Sequence, residues 1–129
     1  MATQERPLSP HLQIYKKQIT SVMSIIHRAT GVVLAFGGLV LAAWLVAAAG
    51  APQTYASFAG WMGSPLGKLA LFVFSACLVY HFLNGLRHLA WDTGRGYDIP
   101  KVYASGYTVL VLSVVLTAVI WWFALGGTA

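Results

Sequence analysis

From Ala29 to Leu86 the chain runs for 58 residues with a single charged side chain, Lys68. A soluble domain must put charged groups on its water-facing surfaces, so a run of this length is written for hydrocarbon as its solvent. Composition agrees: 58% of the 129 residues fall in the hydrophobic set and only 9% are charged. The expected fold is an all-α membrane protein, one domain of three transmembrane helices with no separate soluble domain.

Breaks in the apolar pattern place the spans at about residues 21–49, 66–91 and 104–125, after a polar segment over 1–20 that contains Pro7 and Pro10. Ala29 to Ala49 alone is long enough to cross a core of about 30 Å at about 1.5 Å per residue. Gly50 to Gly67 is an uncharged connector with Pro52 and Pro65, and its Tyr55, Phe58 and Trp61 suit the membrane interface. A polar hinge from Asp92 to Lys101 separates the second and third spans, and Trp121-Trp122-Phe123 form an aromatic belt near the end of the third. Gly31, Ala35, Gly38 and Ala42 put small residues on one face of the first span, where another helix can approach closely.

The basic residues set the expected orientation. Arg6, Lys16, Lys17 and Arg28 precede span one, Arg87, Arg95 and Lys101 lie around the hinge, and only Lys68 lies on the other side. Seven of eight on one side predicts a cytoplasmic N-terminus and an outer C-terminus. The net charge of +5 therefore reads as membrane anchoring. It is no nucleic-acid signature, because these residues flank apolar runs instead of alternating with exposed aromatics. Cys77 is the single cysteine, which excludes an intrachain disulfide and a thiolate cluster and leaves a small hydrophobe. Ala47 to Ala51 superficially resembles a signal-cleavage site, but the charged region before the apolar run is 28 residues long, so cleavage is not expected.

Span two carries the chemistry. His81, Gly85 and His88 are spaced by four and three and share a helical face. His81 lies six residues from Arg87, about 9 Å deeper along the axis. A neutral imidazole at that depth can bind a metal through one ring nitrogen, and Gly85, one turn away, leaves space for something flat. These features suit a haem axial ligand. They suit equally a histidine that hydrogen-bonds a neighbouring helix. If the haem is bis-histidine, the second ligand is expected from another chain, since His27 and His88 lie nearer the boundary and His11 lies outside the membrane. Tyr80 and Asn84 are expected to bond to partner helices. Asp92, four residues beyond His88, either pairs with it or caps the hinge.

At the entry to span one, Ser24, His27 and Arg28 share a face. A hydroxyl, an imidazole and a guanidinium at the lipid boundary can stabilise the negative charge that builds on quinone oxygens during reduction. Arg28 and His27 can equally grip haem propionates. Taken singly, Arg28 is an ordinary topology anchor and Ser24 an ordinary helix N-terminal residue. Among the motifs, there is no nucleophile–base pair, no paired carboxylates and no glycine-rich nucleotide loop.

Two segments carry a resemblance: RPLSPHLQIY (Arg6–Tyr15) followed by SIIHRATG (Ser24–Gly31), and HFLNGLRHLAWDTG (His81–Gly94). In this order and spacing the chain resembles the cytochrome b membrane-anchor family of succinate dehydrogenase. The resemblance implies haem b held axially by His81, with the second ligand from a partner anchor subunit and His27, Arg28 and His88 near the propionates. It implies a ubiquinone site that includes Ser24 and Arg28. The implied partners are an iron–sulfur subunit, a flavoprotein subunit and a second small anchor, in a bacterial inner membrane and only secondarily a mitochondrial one. The Arg6–Tyr15 segment and the basic inner face would dock the soluble pair. The alternatives are the anchor of a quinol:fumarate reductase, a cofactor-free structural anchor and, least favoured by the sparse polar residues of the outer half, a small transporter.

Overall fold

The computed structural model describes residues 18–126, and among them every regular element is helical: α1 (Ile19–Ala49), α2 (Pro52–Gly63), α3 (Pro65–Asp92) and α4 (Ile99–Gly126). The proposed docking segment Arg6–Tyr15, with His11, lies outside the described residues. Helices α1, α3 and α4, of 31, 28 and 28 residues, are long and apolar enough to cross a membrane. Most of their apolar surface faces outward, Phe36, Leu39, Phe82 and Trp122 being examples. In water that exposure would be ruinous. In lipid it costs nothing, and the helices are held by close packing and internal hydrogen bonds instead.

Helix α3 is the central element, packed against each of the other three. It runs antiparallel to α1 and α4: Gly37 of α1 meets Phe74, Gly31 meets His81, and Ser75 of α3 receives a 2.8 Å hydrogen bond from Trp121 Nε1 of α4. A Cβ on Gly37 would overlap the Phe74 ring, so close packing of α1 on α3 requires glycine there. The small-residue face expected for that contact is therefore only partly used. Gly31 lies against α3, but a Cβ on Gly38 would meet nothing within 4 Å, and Ala35 and Ala42 are exposed.

The connector contains a helix of its own. Pro52 sits in the first turn of α2, where its missing N–H is no loss. Ser64 then restarts the chain: its hydroxyl donates to the Trp61 carbonyl (2.6 Å) and accepts from Gly67 N–H (3.1 Å), with Pro65 opening α3. At the other end of α3, Gly94 and Gly96 adopt left-handed backbone (φ 79° and 82°), which turns the chain back toward α4. Trp91 Nε1 donates to the Gly96 carbonyl (3.2 Å) and Tyr97 Oη donates to the Trp91 carbonyl (2.6 Å), fixing the loop. Helix α4 begins at Ile99, ahead of the expected span start near 104. Pro100 falls in its first turn and Lys101 pairs with Asp98 at 2.8 Å, so the residues that read as hinge open the helix.

The core lies at the end of the bundle where α1 begins, α3 ends and α4 begins. Met23, Tyr80 and Val109 are buried there, with Ile19, Leu83 and Leu110 packed around them.

Candidate functional site

The same end of the bundle holds the polar residues, and they divide into two groups on adjacent faces of α3. The first group points inward. Arg87, 7% exposed, donates from Nε to Ser105 Oγ (2.9 Å), from Nη2 to the Val102 carbonyl (2.9 Å) and from Nη1 to Asn84 Oδ1 (3.4 Å). Its guanidinium also lies 4.2 Å from the Trp91 ring centroid. Tyr80 Oη donates to the Met23 carbonyl at 2.8 Å. No carboxylate among the described residues pairs with Arg87; neutral oxygens and a π face take its charge. Tyr80, expected to bond to a partner helix, reaches the α1 backbone, and Asn84 accepts from Arg87 on its own helix while its Nδ2 has no partner among the described residues. Arg87, expected to sit with the boundary cations, ties α3 to α4.

The second group lies on the α1 side of α3. His81 is half-buried, and its Nδ1 lies 3.1 Å from both Thr30 Oγ1 and the His27 carbonyl oxygen. Thr30 Oγ1 in turn donates to that carbonyl at 2.9 Å. The His27 and His81 rings stack face to face, with centroids 3.9 Å apart and planes 7° apart. His88 lies next in line, its centroid 5.3 Å from that of His27 and 5.1 Å from that of Trp91. His27 therefore reaches the level of His81, contrary to the expectation that it stays nearer the boundary. The antiparallel crossing brings the first half of α1 alongside the second half of α3.

This face is open where the other is filled. Among the described residues, a Cβ on Gly85 would meet nothing within 4 Å, leaving a cradle between His81 and His88. His27 Nδ1 is buried without a hydrogen-bond partner among the described residues. Buried imidazole nitrogens are ordinarily paired, so this orphan marks a position where a hydrogen-bonding group would be welcome. No three His, Cys, Asp or Glu side chains among the described residues are arranged to hold a bare metal ion. What the face offers is one anchored imidazole, open space beside it and polar atoms around the rim.

Ser24 and Arg28 flank His27 on α1, one turn apart. Ser24 is half-buried and Arg28 exposed, and neither side chain hydrogen-bonds to another described residue. Both are free to meet a molecule arriving from outside the bundle. Asp92 makes no ion pair with His88, and its side chain is exposed. Thr30 is not among the residues that the sequence pattern singles out; its position three residues after His27, beside Gly31, is the one signal it gives.

The residues that build this face lie within a recognisable sequence family. A family model described as "Succinate dehydrogenase/Fumarate reductase transmembrane subunit" matches residues 2–120. The chain is 44% identical over 117 residues to the succinate dehydrogenase cytochrome b556 subunit of Rickettsia felis, spanning 91% of each chain. It is 40% identical over 111 residues to the cytochrome b556 subunit of Paracoccus denitrificans, covering 86% of this chain and 85% of that one. The human mitochondrial cytochrome b560 subunit of succinate dehydrogenase is also 40% identical over 111 residues, 84% of this chain and 66% of the relative.

Proposed function

The chain belongs to the succinate dehydrogenase/fumarate reductase transmembrane-subunit family, and on that premise we propose that it is the cytochrome b anchor of a bacterial succinate dehydrogenase. In this reading it holds haem b with a second anchor subunit, docks the iron–sulfur and flavoprotein pair on the cytoplasmic side, and contributes to the site where ubiquinone is reduced.

The observation that carries the proposal is the contrast around His81: an imidazole anchored on one edge, beside open space over Gly85 and an unpartnered His27 Nδ1. A structural histidine would be expected to have its surroundings filled. His81 would hold the haem iron, and His27, Arg28 and His88 would meet the propionates, which accept hydrogen bonds and pair with guanidinium. The face-to-face stacking of His27 on His81 leaves no room for a macrocycle between the two rings, so the pair would not hold haem iron between them. That agrees with a second ligand from the partner anchor. When bound, the haem supplies a one-electron carrier near the quinone.

Ubiquinone takes two electrons and two protons to become ubiquinol. The electrons would come from the iron–sulfur subunit and the protons from water, so a site at the cytoplasmic boundary serves both sources and the lipid-borne carrier. The Ser24 hydroxyl and the Arg28 guanidinium would donate to the quinone oxygens, where their hydrogen bonds strengthen as negative charge builds.

The test has two arms on the purified assembly. His81→Ala should remove or shift the b-type absorption while membrane insertion persists; an unchanged reduced-minus-oxidised spectrum rejects His81 as ligand. Ser24→Ala and Arg28→Lys should lower succinate-to-ubiquinone activity by about a hundredfold, the low end of the cost of losing one preorganised donor, with electron delivery from succinate to a water-soluble acceptor retained. Lysine lacks the planar fork of arginine, so Arg28→Lys is not conservative here. Equal loss of both activities would point to failed assembly and against a quinone role. Preference for a low-potential menaquinone over ubiquinone would favour the fumarate reductase alternative.

A further inference from the structure

We propose that Thr30 and the main-chain carbonyl of His27 fix the tautomer of His81, and thereby select Nε2 as the nitrogen offered to iron. The inference rests on the haem reading of His81 and deepens it, because it assigns a positioning role to a threonine that lies outside the expected set of site residues.

The argument is a count of protons. Two oxygens, Thr30 Oγ1 and His27 O, each lie 3.1 Å from His81 Nδ1. The carbonyl can only accept. The threonine hydroxyl has one proton, and its oxygen lies 2.9 Å from that same carbonyl. If His81 Nδ1 carries the proton, it donates into both oxygens, the threonine donates to the carbonyl, and every group has a partner. If Nδ1 is bare, the single hydroxyl proton must choose. Turned to the carbonyl, it leaves the ring lone pair facing two oxygens; turned to Nδ1, it leaves the carbonyl oxygen facing that lone pair. Thr30 is 7% exposed, so water has little access to repair the mismatch. The protonated Nδ1 is therefore the favoured tautomer, and Nε2 keeps its lone pair.

The ring plane is fixed by neighbouring features. The His27 ring lies parallel to it at 3.9 Å. A Cβ on Gly31 would come within 3.1 Å of His81 Cε1, so glycine lets the imidazole seat against α1. Position, plane and tautomer are all set from α1, while the ligand itself stands on α3. A hydrogen bond at Nδ1 pushes electron density toward Nε2 and makes it a stronger donor to ferric iron.

The experiment compares Thr30→Val, which keeps the branched shape and deletes the hydroxyl, with Thr30→Ser, which keeps the hydroxyl and deletes a methyl. Both are made in the intact assembly, beside His81→Ala. Thr30→Val should retain b-type absorption but weaken the preference for ferric over ferrous iron by about tenfold, the low end of what loss of such an outer partner costs. In a redox titration that is a positive shift of about 59 mV for one electron. Thr30→Ser should return the potential to the wild-type value. An unchanged potential in Thr30→Val, or equal shifts in both variants, overturns the proposal. If Thr30→Val retains no haem, Thr30→Ser decides: a wild-type spectrum and potential support the hydroxyl's role, and a displaced potential or lost haem overturns it. The haem reading fails separately, if His81→Ala leaves the spectrum unchanged. Loss of absorption in His81→Ala with unmoved threonine variants sinks only the role given to Thr30, since the His27 carbonyl still faces Nδ1 in both variants.

Discussion

Two faces of α3 carry polar residues at the same spacing, one residue out of step. Tyr80, Asn84 and Arg87 lie at intervals of four and three; so do His81, Gly85 and His88. One residue turns a helix by about 100°, and that rotation separates two fates. The first set is buried, with exposures of 6%, 0% and 7%, and its hydrogen bonds close onto Met23, Ser105 and Val102 of the same chain. The second set is half-buried and borders open space at Gly85. A polar side chain in an apolar helix thus need not mark a site. What separates the two faces is whether their polar groups are already spoken for. The division has one blemish, since Asn84 Nδ2 on the buried face has no partner among the described residues.

The sharpest way to break this comparison is to remove the cation at the centre of the buried face. Arg87→Met keeps much of the apolar stem and deletes three hydrogen bonds to oxygen. Side-chain hydrogen bonds in membrane bundles average about 0.6 kcal/mol each, so the loss should be about 2 kcal/mol. Unfolding of the assembly in a denaturing detergent titration would measure it. The b-type spectrum should stay in place as long as the assembly is folded. A displaced spectrum in the folded variant would show that the two faces are one functional unit.

A smaller perturbation on the same face sharpens the point. Tyr80→Phe removes only the hydroxyl that reaches the Met23 carbonyl at 2.8 Å. The expected cost is about 0.6 kcal/mol, again read from detergent unfolding. A double variant with Arg87→Met should lose less than the sum of the single losses if the two residues support one another through the buried Met23, which both contact. Strict additivity would mean that the α1 and α4 contacts of α3 form independently.

Much of this architecture is legible in the sequence, for a reason peculiar to lipid. A helix whose solvent is hydrocarbon needs no polar stripe, so the three long elements announce themselves as unbroken apolar runs. Helix α2 does not, because its mixture of Gly, Ser, Pro and aromatics is the composition of a loop as well as of an interfacial helix. The start of α4 is hidden in the same way: Pro100 reads as a helix stop, yet in a first turn it is a start. His81 stands out because a titratable ring in an apolar run is costly without a use. Thr30 does not, since a threonine within an apolar helix commonly bonds its own backbone, and only the crossing of α1 over α3 shows that its oxygen also serves His81. Arg87 was readable as a cation near a helix end. Which way it faced depended on one residue of rotation, and that is decided by packing against α4.

The open face yields the smallest expected stability change and the one most telling in its sign. Gly85 has no neighbour within 4 Å of where a Cβ would stand. Glycine inside a helix costs up to about 1 kcal/mol relative to alanine. Gly85→Ala should therefore leave the protein stripped of haem unchanged or more stable by about 0.5 kcal/mol. In the loaded assembly the added methyl intrudes on the cradle beside His81, so haem content per assembly should fall, as measured by reduced-minus-oxidised absorbance. Helix propensity and haem retention then move in opposite directions at one atom. Packing within the described residues provides no reason for that opposition, because none of them lies within 4 Å of where the methyl would stand; a flat occupant over Gly85 does. Unaltered haem content in Gly85→Ala would mean that the cradle lies empty in the working protein and that the open face owes its shape to something other than the cofactor.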